Sequence, residues 1–120
     1  PGSIDVEKLI RLVDFFAETG SPPLIILNVG TSFKGAYDDV EEIGNRLKPI
    51  LKKYGLYKRR VEYAPGKFDR RTGYWIHVDG ALGATYLPFL AKASDRIEGR
   101  VPKFDFALPF VQSIVTSAHK

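Results

Sequence analysis

The chain has 120 residues, 44% of them hydrophobic and 27% charged, with 11 glycines and 8 prolines; these figures fit one folded domain and exclude disordered, collagen-like and coiled-coil classes. Cysteine is absent, so disulfides, thiolate metal sites and thiol nucleophiles are excluded from this stretch, and no apolar run approaches the roughly 20 residues of a membrane-spanning helix. The net charge of +4 is uneven: residues 1–47 hold 4 basic and 8 acidic side chains, residues 48–71 hold 9 and 2, and residues 72–120 hold 5 and 4.

Pro1-Gly2-Ser3 followed by Asp5 lacks the basic and apolar regions of a signal peptide, so the expectation is a soluble, cytoplasmic chain. Val6, Leu9, Ile10, Val13 and Phe16 recur at helical spacing and predict an amphipathic helix over 5–19, capped by Asp5 and stopped by Gly20. After Ser21-Pro22-Pro23, the apolar run Leu24 to Val29 reads as a strand buried on both faces. A polar turn from Gly30 to Ala36 leads into a second helix carrying Val40, Ile43, Leu47, Ile50, Leu51 and Tyr54, with Pro49 as a kink and Gly55 as its end. The basic segment follows, with Pro65-Gly66 as a strong turn. Tyr74 to Asp79 predicts another strand, residues 84–93 a short helix, and Phe104 to Leu108 the last strand, before Ser113 to Ser117 and the terminal His119-Lys120. This alternation predicts an α/β fold, a mostly parallel sheet with flanking helices.

In such sheets ligands gather beyond the carboxyl ends of the strands, where this order places Thr31 and Ser32, Asp79, and Lys120. Each has a plainer reading alone. Thr31 and Ser32 could satisfy turn amides, Asp79 could cap a turn, and Lys120 could be a solvated charge. His77 shares a strand face with Asp79 and reads as a core histidine; no second ligand at metal spacing accompanies it, and no metal is expected.

Three runs occur in order: Asn28 to Asp39 (NVGTSFKGAYDD), Trp75 to Gly83 (WIHVDGALG), and Asp105 through Thr116-Ser117-Ala118-His119-Lys120. Together they resemble the large domain of the group II pyridoxal-phosphate-dependent amino acid decarboxylases. The resemblance implies a fold type I large domain, of which residues 1–120 are the central segment, with upstream and downstream parts and a small C-terminal domain lying elsewhere. It implies pyridoxal 5'-phosphate as cofactor, an L-amino acid as substrate, decarboxylation through a quinonoid, and a homodimer. Lys120 then forms the Schiff base, Asp79 pairs with the pyridine nitrogen, Ala81 packs on the ring, and His119 lies near the phosphate. Ser32, preceded by Thr31, approaches the phenolic oxygen, Asp38 sits near the base of the pocket, and His77 adjoins the cofactor.

These residue types suit the chemistry. Carbanion chemistry at an α-carbon needs an electron sink, and the pyridine ring is one while its nitrogen stays protonated, which a neighbouring carboxylate favours. A lysine amine supplies a preformed imine for exchange with the substrate. Ser32 and Gly80 depart mildly from the usual threonine and alanine, and residues 58–74 form an insertion, expected as a hairpin at the pocket mouth or a dimer contact. The alternatives are another fold type I enzyme, an aminotransferase or carbon–carbon lyase, and a nucleic-acid-binding module using residues 48–71 with Tyr54, Tyr57, Tyr63 and Phe68.

Overall fold

The computed structural model describes residues 2–93 and 100–119. Helix α1 (Val6–Glu18) begins where the Asp5 carboxylate accepts the Lys8 amide at 3.1 Å, a cap worth about 1 kcal/mol, and stops before Gly20 at φ +77°. Strand β1 (Leu24–Asn28) follows. Helix α2 (Val40–Lys53) is capped by Asp39, whose carboxylate accepts the Glu42 amide at 2.9 Å. Glu41 and Glu42 in its first turn, and Lys52 and Lys53 in its last, match the helix dipole. The helix runs through Pro49 to Lys53; the missing amide frees the carbonyl of Asn45, an exposed residue that water can reach.

Strands β2 (Arg59–Ala64) and β3 (Lys67–Arg71) form a separate antiparallel hairpin around Pro65-Gly66. Strand β4 (Trp75–Asp79), helix α3 (Gly83–Lys92) and strand β5 (Ser113–Val115) complete the described elements. The main sheet has the order β1-β4-β5 and is parallel throughout, with Asn28 opposite Asp79 and Asp79 opposite Val115.

The core lies on one side of this sheet. Ile25, Leu27 and Val29 from β1 and its end, with Ile76 and Val78 from β4, share a buried cluster with Val13 and Ala17 of α1 and Val40, Ile43, Leu47 and Leu51 of α2. A bidentate pair between Arg46 and Glu7, at 2.6 and 3.0 Å, ties the helices together at the surface. Gly44 is where α2 meets the Phe110 ring: a Cβ there would stand 2.0 Å from a ring carbon.

Two expectations need correction. Strand β1 is not buried on both faces: it alternates, and Leu24 and Ile26 remain 66% and 54% exposed because both helices cover the opposite side. Residues 104–108 form turns rather than a strand, and the third strand is Ser113–Val115. Asp105 explains the difference: its carboxylate accepts the Ala107 amide at 2.9 Å, and its carbonyl accepts the Leu108 amide at 3.0 Å. Pro109, which lacks an amide, follows. The apolar residues read as a strand still reach the core, with Phe104, Leu108, Phe110 and Val111 all buried.

Candidate active site

Parallel pairing brings the carboxyl ends of β1 and β4 side by side, and the backbone beyond them is knitted together. Val29 N–H donates to the Asp79 carbonyl at 2.9 Å, Gly80 N–H to Val115 at 3.0 Å, Gly83 N–H to Val29 at 3.1 Å, and Ser117 N–H to Ala81 at 3.2 Å. The start of α3 rests directly on the end of β1, where a Cβ on Gly83 would lie 2.0 Å from the Val29 oxygen. A small polar cavity of about 170 Å³ remains, lined by Asn28, Gly30, Thr31, Ser32, Asp79, Ala81 and Leu82.

The cavity gathers four of the residues singled out from sequence: Thr31, Ser32, Asp79 and Ala81. Asp79 uses one carboxylate oxygen to accept the Ala81 amide at 3.1 Å, so the turn-cap role holds for that atom, while the other has no hydrogen bond among the described residues. Thr31 Oγ1 accepts the Ala36 amide at 3.0 Å within the turn; its hydroxyl hydrogen remains available to a ligand. Ser32 is exposed at the rim.

The other candidates lie around this centre. His77 shares the open sheet face with Asp79, and its Nδ1 lies 2.7 Å from Ser113 Oγ, which also accepts Trp75 Nε1–H at 2.8 Å. Asp38 is 3% exposed and faces backbone: its two oxygens accept the amides of Ile4 and Asn28, each at 2.7 Å. His119 is exposed, two residues after the Ser117 contact to Ala81. Lys120 lies outside the described residues. Asn28 lines the cavity and was not singled out from sequence; its spacing of two and four residues from Ile26 and Leu24 puts it on the open face.

The hairpin stands at the other end of the sheet. A groove joins Arg59, Val61 and Arg71 of the hairpin to Pro22, Pro23 and Trp75, at the amino ends of β1 and β4. Of the two placements considered for residues 58–74, a hairpin at the pocket mouth or a dimer contact, the hairpin forms but stands away from the cavity, because the chain leaves α2 away from the strands' carboxyl ends.

The cavity offers one open carboxylate oxygen beside two hydroxyls and small residues, groups that favour a small polar ligand with a protonated nitrogen. Comparison with protein-family models finds no match. The chain is 34% identical over 119 residues to a histidine decarboxylase of Acinetobacter baumannii, covering 99% of this chain and 24% of that protein. It is 35% identical over 102 residues to serine decarboxylase 2 of Oryza sativa subsp. japonica, covering 85% of this chain and 16% of that protein. L-methionine decarboxylase from Streptomyces sp.590 superposes with a TM-score of 0.89 at 43% identity, covering 100% of this chain and 27% of that one. Over most or all of its length the chain is thus similar to a segment of each of these three amino acid decarboxylases, in keeping with the resemblance read from the sequence.

The match to the decarboxylase fold includes the parallel sheet and its flanking helices. The chain spans only 16% to 27% of the lengths of these three relatives. Among the described residues, no helix is long and apolar enough to cross a membrane.

Proposed function

We propose that the protein carrying this sequence is a lyase that removes the carboxyl group of an L-amino acid with pyridoxal phosphate bound in the cavity at the ends of β1 and β4. The observation that carries this reading is the Asp79 carboxylate, with one oxygen fixed by the Ala81 amide and the other open to the cavity. When bound, the cofactor supplies the electron sink for the carbanion left at the α-carbon. Asp79 keeps the ring nitrogen protonated by opposite charge. Ala81 leaves room for the flat ring, Ser32 and Thr31 present hydroxyls to its substituents, and His119 attends the phosphate. Lys120 would hold the cofactor through its side-chain amine. His77 and Asp38 support the site from the open sheet face and from beneath the turn.

In this reading residues 1–120 are the central part of the large domain, and the enzyme is a cytoplasmic homodimer acting in carboxylic acid metabolism. The test is borohydride reduction of the full-length protein followed by peptide mapping. A pyridoxyl adduct on Lys120 is expected; an adduct elsewhere, or none, overturns the assignment. Release of carbon dioxide from a panel of amino acids then separates decarboxylation from transamination, which transfers nitrogen and releases no gas.

A further inference from the structure

Asn28 and Asp79 are direct partners in the parallel ladder, on adjacent strands about 4.8 Å apart, and both line the same cavity. Each lies two residues after a side chain on the open sheet face, Ile26 and His77, so the two polar groups share that face. The backbone of Asn28 is held from its other side by Asp38: Asn28 N–H donates to Asp38 Oδ2 at 2.7 Å, and Asp38 N–H donates to the Asn28 carbonyl at 2.8 Å. Asp38 is itself buried and also accepts the Ile4 amide, so this clamp is rigid. The Asn28 carboxamide, in contrast, makes no hydrogen bond among the described residues. A rigid backbone that holds an unengaged carboxamide in the lining of a cavity shared with a half-satisfied carboxylate has a direct chemical use.

We propose that Asn28 is a positioning residue of this site: with the cofactor bound, its carboxamide turns to donate to the Asp79 oxygen that the Ala81 amide leaves free, and so directs the carboxylate at the ring nitrogen. A carboxylate oxygen has lone pairs for both the amide donor and the ring N–H. The amide is neutral, so it orients Asp79 without the cost of a second charge. Asp38 then acts through Asn28, at one remove from the ligand. The inference rests on the cofactor reading above.

The test uses full-length protein and two probes, pyridoxal phosphate and its 1-deaza analogue, which lacks the ring nitrogen, with dissociation constants measured by equilibrium dialysis. The parent protein should prefer pyridoxal phosphate, and Asp79→Asn should erase that preference. Asn28→Ala and the volume-matched Asn28→Leu should each weaken pyridoxal phosphate binding by about tenfold, the scale of one hydrogen bond to a charged group, while changing analogue binding by less than about twofold. Asn28→Thr, which keeps a donor, should retain part of the preference. A merely structural role would weaken both probes equally, and that result overturns the proposal, as does full preference in both Asn28→Ala and Asn28→Leu. If Asp79→Asn leaves the preference intact, the reading of Asp79 itself fails.

Discussion

At the scale of single residues, the buried carboxylate of Asp38 shows how a residue close in sequence to a site serves it through the backbone. It joins the approach to α1, through Ile4, to the end of β1, through Asn28. Asp38→Ala leaves both amides without their acceptor and should cost about 2 to 4 kcal/mol in chemical denaturation; a loss below about 0.5 kcal/mol would show that water replaces the carboxylate freely. The residue types at the site were legible in the sequence, because Asp79 ends an apolar strand and Thr31 and Ser32 follow another. Which atoms remain free was not. That depends on whether the Ala81 and Ala36 amides curl back onto Asp79 and Thr31, a matter of turn geometry that residue identity leaves open.

At the scale of elements, capping and periodicity predicted α1 and α2 well, because a helix is specified by neighbours three and four residues apart. Their join is also testable. The Glu7 carboxyl is held below the usual carboxylate range, first by its hydrogen bond to Arg46 and then by that guanidinium's charge. A depressed carboxyl gives stability that is present above the ordinary value of about 4.3 and is lost as pH falls through the folded value. Glu7→Gln should therefore lose less melting temperature than the parent protein between about pH 7 and pH 3; equal losses would show that the pair contributes nothing. The hairpin is stranger. Its register sets Arg59 opposite Arg71 and Arg60 opposite Arg70, two successive like-charge pairs that disfavour pairing. Asp69 offsets Arg71 at 3.0 Å, and Arg60 lies 3.5 Å over the Phe68 ring centre. Arg70→Glu turns one repulsive pair into an attractive one, and should raise the hydrogen-exchange protection of residues 59–71; unchanged protection would show that the repulsion is already screened.

At the scale of the whole molecule, the radius of gyration of 16.3 Å exceeds the roughly 14 Å of a compact chain this long, and the extents of 55 × 29 × 25 Å describe an elongated body. One face of the parallel sheet is open, with Leu24 66%, Ile26 54% and Trp75 47% exposed. Parallel sheets are ordinarily covered on both faces, so this surface should be adhesive in the 120-residue chain. The double substitution Leu24→Lys with Ile26→Lys should lower its self-association in sedimentation velocity; an unchanged distribution would locate the adhesive surface elsewhere.

The sequence by itself determined the α/β alternation, the two capped helices, the hairpin turn at Pro65-Gly66 and the polar residues that close β1 and β4, since each depends on residues only a few positions apart. Only the tertiary structure decided which face of the sheet is covered, that residues 104–108 enter the core as turns, and that the basic hairpin stands at the end away from the cavity. It also placed Asn28 beside Asp79, residues that are far apart in the chain and become neighbours only when two strands pair in parallel and in one register.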